Sequence, residues 1–375
     1  MYDLHDFLSP INIHSLNDDQ GYNDGQLAKH ISINDGEIPN LDGIDIVLVG
    51  VNESRGSGVS GNYNDAADMI RKQLFQLHYW HNDVTIADIG NIKTGATLQD
   101  SYAAISTVVA ELISMKKTVV LLGGTHDISL PQYFAYKKLD TIVEATCIDA
   151  TIDLKGESAL RSENFLLEML TGEPNMVKHY NHIAFQSYLV HPRMLETMDK
   201  LRFDCYRVGK VKENIVEMEP VLRNTNLLSF DINAIKNSDA PANECSPNGL
   251  TGAEACMLTQ YAGMSNNINS FGIYGYQPKV DVHELTAKQI AQMLWYFIDG
   301  KSRGKQEAAL EDRDSFNEFH TVFTEVDALF LQSRKTGRWW MQLPDKTFIA
   351  CSYNDYQSAA RNEIPERWLR AQERN

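Results

Sequence analysis

The sequence predicts an α/β protein of three layers, in which eight parallel strands lie between two layers of helices, followed by an aromatic-rich C-terminal appendage. Two observations predict this class. Continuous runs of Val, Ile and Leu, as in Thr118–Leu122, are typical of strands covered on both faces, and such strands form parallel sheets. Longer segments with apolar residues at every third or fourth position separate these runs, as expected for helices that connect parallel strands.

Eight short apolar runs are predicted as the strands of this sheet. In chain order they are Asp45–Val51, Val84–Asp88, Thr118–Leu122, Ala145–Asp149, Ile183–Gln186, Asp204–Val208, Leu227–Asp231 and Ser270–Tyr274. Ligands of such folds bind beyond the carboxyl ends of the strands. The residues that end or directly follow these runs are therefore the first candidates for a functional site.

Helices are predicted between the strands from the spacing of apolar residues. The clearest are Asp65–Tyr79, Leu98–Met115 and Leu285–Phe297. Thr251-Gly-Ala-Glu254 and Thr286-Ala-Lys-Gln289 have the pattern of a capping box, with a hydroxyl residue first and an acid or amide three positions later. Both segments are therefore predicted to begin helices.

The change in composition after Gly300 predicts the domain organisation. Residues 1–300 form the α/β domain, the polar stretch 301–315 is a linker, and 316–375 form an appendage packed on the main domain. The appendage contains the adjacent Trp339 and Trp340 beside an arginine. These tryptophans either attach the appendage to its own domain or form a surface for a partner or a lid over the site.

Composition excludes several classes of function. The chain has 375 residues, 43% of them hydrophobic, and a formal net charge of −16 without a basic cluster, which argues against nucleic-acid binding and leaves a small-molecule ligand or a protein partner. Its five cysteines lack CxxC spacing and are interpreted as thiols in a reducing compartment rather than as a disulfide or zinc framework. No signal peptide or membrane span is recognised, so the expected localisation is cytoplasmic.

Polar residues follow three of the predicted strands. His126 lies in Gly123-Gly-Thr-His-Asp127, Asp149 and Asp153 lie in Asp149-Ala-Thr-Ile-Asp153, and Asp231 ends Leu227–Asp231. Each residue alone is explained by a turn or a helix cap. Together they supply one nitrogen and three carboxylates at one edge of a sheet, and this donor set suits a divalent ion such as Mn²⁺.

The order GGxHD, DAxxD and SFDxx on strands of one parallel sheet resembles the ureohydrolases, a family that includes arginase, agmatinase and formimidoylglutamase. The segments Val47–Arg55, Asn64–Leu74, Ile86–Gly90 and Leu250–Gly252 also fit this family. The resemblance covers roughly Asp45 to Gly300 and is strongest to formimidoylglutamase. It implies an eight-stranded parallel sheet of arginase type and a homo-oligomer.

The resemblance also implies a metal site, because family members hold two Mn²⁺ ions bridged by a hydroxide that attacks a guanidino or formimino carbon. His126, Asp149, Asp153 and Asp231 match the residues around one ion, and Asp149 and Asp231 would bridge the two. The second ion's own histidine and acid are replaced by Thr151 and Asn233. Neutral oxygens are poor substitutes for these ligands, so we expect at most one Mn²⁺ per chain, or none.

The substrate side of the pocket departs from the family as well. The family has a glutamate before Asn-Pro that pairs with the guanidino or formimino group, and Gly275 stands at this place. The family's loop after its DAHxD motif is Gly-rich or contains histidine, whereas Gly156–Asn164 is neither. Thr151, Asn233 and Gly275 are therefore expected to line the substrate pocket.

Three functional hypotheses follow from these residues. The first is an arginase-family protein that is catalytically impaired or acts in binding or assembly without catalysis. The second is a hydrolase that cleaves a C–N bond of a linear amidine with a single metal ion. The third is a different reaction in the same pocket, in which Thr151 and Asn233 hydrogen-bond the substrate. Fold alone does not decide among these hypotheses.

Overall fold

The predicted fold class is confirmed by the computed structural model, which describes residues 4–17, 21–58 and 63–374. All eight predicted strands are present, and two short strands near the N-terminus join them. In chain order the strands of this sheet are β1 (Leu8–Ser9), β2 (Ile31–Ile33), β3 (Ile46–Val51), β4 (Ile86–Ile92), β5 (Thr118–Leu122), β6 (Val143–Ile148), β7 (Val177–Phe185), β8 (Asp204–Arg207), β9 (Leu227–Asp231) and β10 (Ser270–Tyr274).

The eight predicted strands lie in the order β4-β3-β5-β10-β9-β6-β7-β8 and are parallel to one another. Both additional strands pair with β4. Strand β2 is parallel to it and β1 is antiparallel. The prediction of eight parallel strands is therefore correct for the predicted set but incomplete, because strands as short as β1 and β2 carry too few residues for a readable pattern.

Nine helices of the described residues belong to this domain: α1 (Ala66–Leu74), α2 (Leu98–Ser114), α3 (Ser129–Lys138), α4 (Arg161–Thr171), α5 (Pro192–Lys200), α6 (Val208–Glu213), α7 (Met218–Arg223), α8 (Gly252–Gly263) and α9 (Leu285–Lys305). Helix α1 ends before the predicted Tyr79. Helix α9 continues past Phe297 and Gly300 into the stretch predicted as linker. The residues at the end of α9 are small and polar, and they pack closely against α8. Because they show no apolar pattern, the sequence does not indicate this extension of the helix.

Two apolar cores lie on opposite faces of the sheet and define its three layers. Along β5 the side chains alternate, so that Val119 and Leu121 pack with α2 to α5, whereas Val120 and Leu122 pack with α1 and α6 to α9. Alternation of side chains along a strand explains how one continuous apolar run serves two cores.

Only one of the two predicted capping boxes exists. Thr251 Oγ1 accepts a bond from the Glu254 N–H at 3.2 Å, and Glu254 Oε2 accepts one from the Thr251 N–H at 2.7 Å. The prediction at Thr286 is wrong, because α9 begins at Leu285 and Thr286 lies inside it. There the buried Thr286 hydroxyl oxygen accepts a bond from the backbone N–H of Ala242 at 2.9 Å.

The C-terminal residues form a small antiparallel sheet with two helices. Its strands pair in chain order: β11 (Phe316–Phe323), β12 (Val326–Ser333), β13 (Trp339–Gln342) and β14 (Phe348–Cys351), and they are followed by α10 (Tyr353–Ala360) and α11 (Glu366–Arg374). This region has its own small apolar clusters, separate from those of the main sheet.

The two adjacent tryptophans pack inside the protein. Trp339 and Trp340 are each 8% exposed. The guanidinium of Arg223, on α7, lies 4.4 Å from the Trp340 ring centroid and donates to the Trp339 carbonyl oxygen at 2.7 Å. These contacts favour the interpretation that the tryptophans attach the C-terminal region to the main domain. Among the helices that the structure describes, none is both long and apolar enough to cross a membrane.

Candidate metal centre

Strand register brings the candidate ligands together at the carboxyl edge of the sheet. Ile148 pairs with Phe230 across β6 and β9, so Asp149 lies beside Asp231. Tyr274 pairs with Asp231 across β9 and β10, so Gly275 follows on the other side. The four strands β5, β10, β9 and β6 are neighbours, and the residues at their ends therefore share one site.

His126 follows β5 after two glycines in left-handed conformation, Gly123 and Gly124, with φ of 85° and 84°. Glycine adopts such angles without steric cost, and the turn directs the chain back over the strand ends. The imidazole is 4% exposed. Its Nε2 lies 2.7 Å from Ser229 Oγ, which also accepts a bond from Ser129 Oγ at 2.8 Å. With its Nε2 held in this way, the ring presents Nδ1 to the carboxylates.

The distances around His126 Nδ1 define the centre. Asp153 Oδ2 lies at 2.9 Å, Asp149 Oδ2 at 3.3 Å and Asp231 Oδ2 at 3.7 Å. Ligand atoms of His126, Asp149 and Asp153 all lie within 4.8 Å of one another. The three aspartates that the sequence suggested as ligands therefore surround one nitrogen of the fourth, His126.

Burial and mutual charge dominate the electrostatics of this cluster. Burial and the charge of Asp149 raise the pKa of Asp231 well above its usual value. Burial by itself lowers the pKa of His126, but the charge of Cys147 and the hydrogen bonds to Asp149 and Asp153 outweigh it, so the pKa is raised. In the described part of the chain no lysine or arginine forms an ion pair with the three aspartates, and the charges of His126 and His182 are those that offset theirs.

This donor set fits a divalent cation. Three buried carboxylates exceed the positive charge that the neighbouring histidines supply, and this surplus is costly unless a cation balances it. One imidazole nitrogen and three carboxylate oxygens are ligands that suit Mn²⁺, and the bond from His126 Nε2 to Ser229 is the outer contact that orients a metal-binding histidine.

Thr151 and Asn233, the two substitutions, lie in the same cleft. Thr151 Oγ1 is 2.9 Å from Asp149 Oδ2 and 3.2 Å from Asp153 Oδ1, so its hydroxyl proton is directed at the two carboxylates. The backbone N–H of Asn233 donates to Asp231 Oδ1 at 2.8 Å. Hydrogen bonds within the protein thus already occupy some of the lone pairs on the aspartate oxygens that lie near Thr151 and Asn233.

Gly275 supplies space rather than a ligand. Its φ is 82°, and a Cβ at this position would lie 2.7 Å from Asp231 Oδ1. A side chain at Gly275 would therefore require the Asp231 carboxylate to shift.

The centre lies at the bottom of a cleft of about 460 Å³. Sequence reasoning missed several of its walls: Tyr63, Lys155, Glu163, Glu244 and Cys245. It also missed Cys147 and Ser229, which lie behind His126. Cys147 and Ser229 each precede a candidate aspartate by two positions in a strand, and this period of two was a usable signal. No local pattern marks Glu244 or Cys245.

The fold and this donor set define an α/β protein whose cluster of one imidazole and three carboxylates suits a divalent cation. Residues 44–299 match the model of the Arginase family. Because this match covers more than half of the sequence, the chain belongs to the arginase family.

Individual relatives agree with this assignment. The chain is 22% identical over 244 residues to a formimidoylglutamase of Staphylococcus haemolyticus, an alignment that covers 62% of this chain and 77% of the relative. The structure of formimidoylglutamase from Bacillus subtilis superimposes with a TM-score of 0.66 at 19% identity, covering 76% of this chain and 94% of that one. The predicted resemblance to formimidoylglutamases is confirmed.

A manganese-containing structure is also similar. The formiminoglutamase of Trypanosoma cruzi with Mn²⁺ has a TM-score of 0.66 at 19% identity, covering 74% of this chain and 98% of that one. At this level of identity the match shows the shared fold.

Proposed function

We propose that this protein holds one divalent cation, Mn²⁺ by preference, and binds a small-molecule ligand beside it without the two-ion hydrolysis of its family. His126 Nδ1 and carboxylate oxygens of Asp149, Asp153 and Asp231 would be the ligands. A bound cation lowers the pKa of the water it holds and stabilises negative charge beside it. The protein's own part is to orient His126 through Ser229 and to keep the three carboxylates buried.

The hydroxyl of Thr151 is the observation that carries this proposal. It directs a proton at Asp149 and Asp153 from within the cleft, where the resemblance implies a histidine ligand of the second ion. Asn233 in turn offers a neutral amide in place of a carboxylate. Losing an imidazole and a full negative charge removes most of the attraction for a second cation.

Metal content and turnover test this proposal together. Purified protein equilibrated with Mn²⁺ is expected to retain one ion per chain by elemental analysis. Incubation with arginine, agmatine or formiminoglutamate is expected to release no urea or formamide above the level of the His126→Ala variant, which lacks the nitrogen ligand. Two retained ions with brisk turnover, or no retained ion, would contradict the proposal.

The open cleft favours a second candidate, a hydrolase of linear amidines that uses a single cation. A cleft of about 460 Å³ with carboxylates on its walls leaves room for a substrate above the centre. In that case one ion per chain would be accompanied by turnover that disappears in the His126→Ala variant. The same two measurements therefore separate the candidates.

A further inference from the structure

The outer edge of the small C-terminal sheet is open. Its strands pair in the order β11-β12-β13-β14, and within the part of the chain that the structure describes no strand pairs with the other side of β11. This strand has eight residues, Phe316–Phe323, and all of them pair with β12 in one unbroken register. An edge of this length without a bulge presents a row of N–H and C=O groups to solvent.

The backbone groups that face outwards follow from the pairing with β12. The Ser315 carbonyl oxygen accepts a bond from the Arg334 N–H at 3.0 Å, just before the strand begins. Hydrogen-bonded positions alternate along an antiparallel pair, so the odd-numbered residues of β11 bond to β12. Glu318, His320 and Val322 therefore direct their N–H and C=O groups outwards, and no protein group among the described residues bonds to these atoms.

The sequence of β11 has little of the protection that is usual for an edge strand. It contains no lysine and no proline, and its one acid is Glu318. The side chains of Glu318, His320 and Val322 are exposed, that of Val322 by 57%. Natural proteins prevent edge-to-edge pairing with lysine, proline or a bulge, and β11 has none of these. This edge is therefore suited to pairing with a further strand.

A second copy of β11 matches this edge when the two strands are antiparallel and a two-fold axis passes through Phe319. In that register Glu318 lies opposite the second copy's His320, and Asn317 lies opposite the second copy's Thr321. An acid thus meets an imidazole that can donate an N–H to it, and a polar side chain meets a polar one. Symmetry repeats each of these pairs on the other side of the axis.

Moving the axis by one residue in either direction removes this match. An axis through Glu318 places two glutamates opposite each other, and an axis through His320 places Glu318 opposite Val322. Intermediate registers would pair an outward-facing residue with one that already bonds to β12. The ion pair of Glu318 with Arg313 is long, at 3.8 Å, and exposed, and such contacts are weak. Glu318 is thus available to a histidine across the axis.

Charge favours this part of the chain for a contact between two copies. Residues 316–375 contain eight Lys and Arg and eight Asp and Glu, so the formal charge of −16 lies on residues 1–315. Two copies of an acidic protein repel each other least where they meet through a region without net charge.

We propose that β11 is an interface between two copies of this chain, which pair their β11 strands about a two-fold axis at Phe319. The two small sheets then form one continuous sheet across both subunits. This contact lies outside residues 44–299, which match the Arginase family, so it adds to any contact that the shared fold supplies. It is independent of the metal centre and of the proposed function.

A charge swap tests both the contact and its register. His320→Glu places glutamate opposite glutamate in both symmetric pairs, and it is expected to halve the number of chains per particle in size-exclusion chromatography with light scattering. Combining Glu318→His with His320→Glu again places an acid opposite a histidine and is expected to restore the wild-type particle. Lys346→Gln makes an equal change of formal charge in the turn between β13 and β14, and this control should behave like the wild type.

Hydrogen exchange of the same samples reports whether the variants are folded and where they differ. Peptides from β13 and β14 should exchange alike in all of these proteins, whereas the peptide that contains residues 316–323 should exchange faster in His320→Glu alone. A monomeric wild type, an unchanged particle in His320→Glu, or a double variant that stays at half the wild-type mass would each overturn the proposal.

Discussion

The side chains beside the aspartates differ in the ligand atoms and the charge that they offer to a cation. Thr151 brings a neutral hydroxyl whose proton is directed at Asp149 and Asp153. An imidazole at the same position would bring a lone pair, and a carboxylate in place of Asn233 would bring a full negative charge. Because cations select sites by ligand type and charge, we expect these two positions to influence how many ions the cleft holds.

The double variant Thr151→His, Asn233→Asp is therefore expected to raise retained Mn²⁺ from one to two ions per chain. It is also expected to gain release of urea or formamide from a guanidino or formimino compound. Elemental analysis and an assay for the released product measure both effects. Thr151→Val, which removes the hydroxyl without adding a ligand, serves as the control and should retain one ion. A double variant that still holds one ion would refute this account.

The position of Gly275 leads to a second prediction about a single residue. Gly275→Ala is expected to cost about 2–4 kcal/mol of unfolding free energy, because a left-handed backbone and a collision with Asp231 add together. Gly337 has a φ of 74° and no atom within 4 Å of a built Cβ, so Gly337→Ala isolates the backbone effect. It should cost about 1 kcal/mol. Denaturant unfolding measures both, and equal costs would argue against the collision.

Among the elements, α11 is attached to the main domain chiefly by charge. None of its described residues is fully buried. Arg370 and Arg374 pair with Asp204 at the start of β8, and Arg367 pairs with Glu217 and Asp355. Burial by itself raises the pKa of Asp204, but the hydrogen bond from His179 and the charge of Arg374 outweigh it and lower the pKa to about 2. Docking of α11 therefore depends on an ionised Asp204.

Asp204→Asn is expected to destabilise the folded protein by about 2 kcal/mol at neutral pH, because the pKa shift is a stability term to which His179 and the arginines of α11 both contribute. A carboxyl group whose pKa is lowered by folding stabilises the fold at pH values above its pKa in the unfolded chain. This contribution is lost as the pH falls from about 4 towards about 2. The advantage of the wild type in thermal unfolding should therefore vanish over that range.

Hydrogen exchange measured by mass spectrometry locates the effect of this substitution. At neutral pH, faster exchange of the peptide that contains residues 366–374, with unchanged exchange of β11 and β12, is expected for Asp204→Asn. Arg303→Gln removes a more exposed ion pair with Asp299 on α9 and should leave the α11 peptide unchanged. Unaltered exchange in Asp204→Asn would show that the ionic contacts do not hold the helix.

At the scale of the whole molecule, the C-terminal region covers charged residues of the main domain and shields them from water. Arg223 and Glu219 are 5% and 8% exposed beneath it. Trp340 lies against the Arg223 guanidinium. Removal of the region uncovers this surface together with apolar side chains, and exposed surfaces of this kind promote aggregation.

Deletion of residues 316–375 is therefore expected to give insoluble or aggregated protein by size-exclusion chromatography with light scattering. Deletion of 364–375, which removes α11 but leaves the small sheet, is the control and should remain soluble. A soluble larger deletion with an altered oligomeric state would instead favour a partner surface on this region. Light scattering of the full chain also tests the homo-oligomer that the family resemblance implies.

Much of the fold was predictable because its signals are local. Apolar runs marked all eight predicted strands, and the spacing of apolar residues marked α2 closely. The members of the candidate metal site were found because the family's motifs place them at or shortly after the ends of strands. Thr286 was misread because a capping pattern says nothing about burial, and its hydroxyl is used by the distant Ala242.

The sequence by itself determined the layered α/β architecture, the arginase-like order of motifs and the identity of the four clustered residues. Periodicity and motif spacing are properties of neighbouring residues, so these features are readable along the chain. Only the tertiary structure decided that Thr151 directs its hydroxyl at two carboxylates, that Glu244 reaches the same cleft, and that α11 is docked by Asp204. Each of these depends on contacts, burial or distances set by folding, which local pattern does not encode.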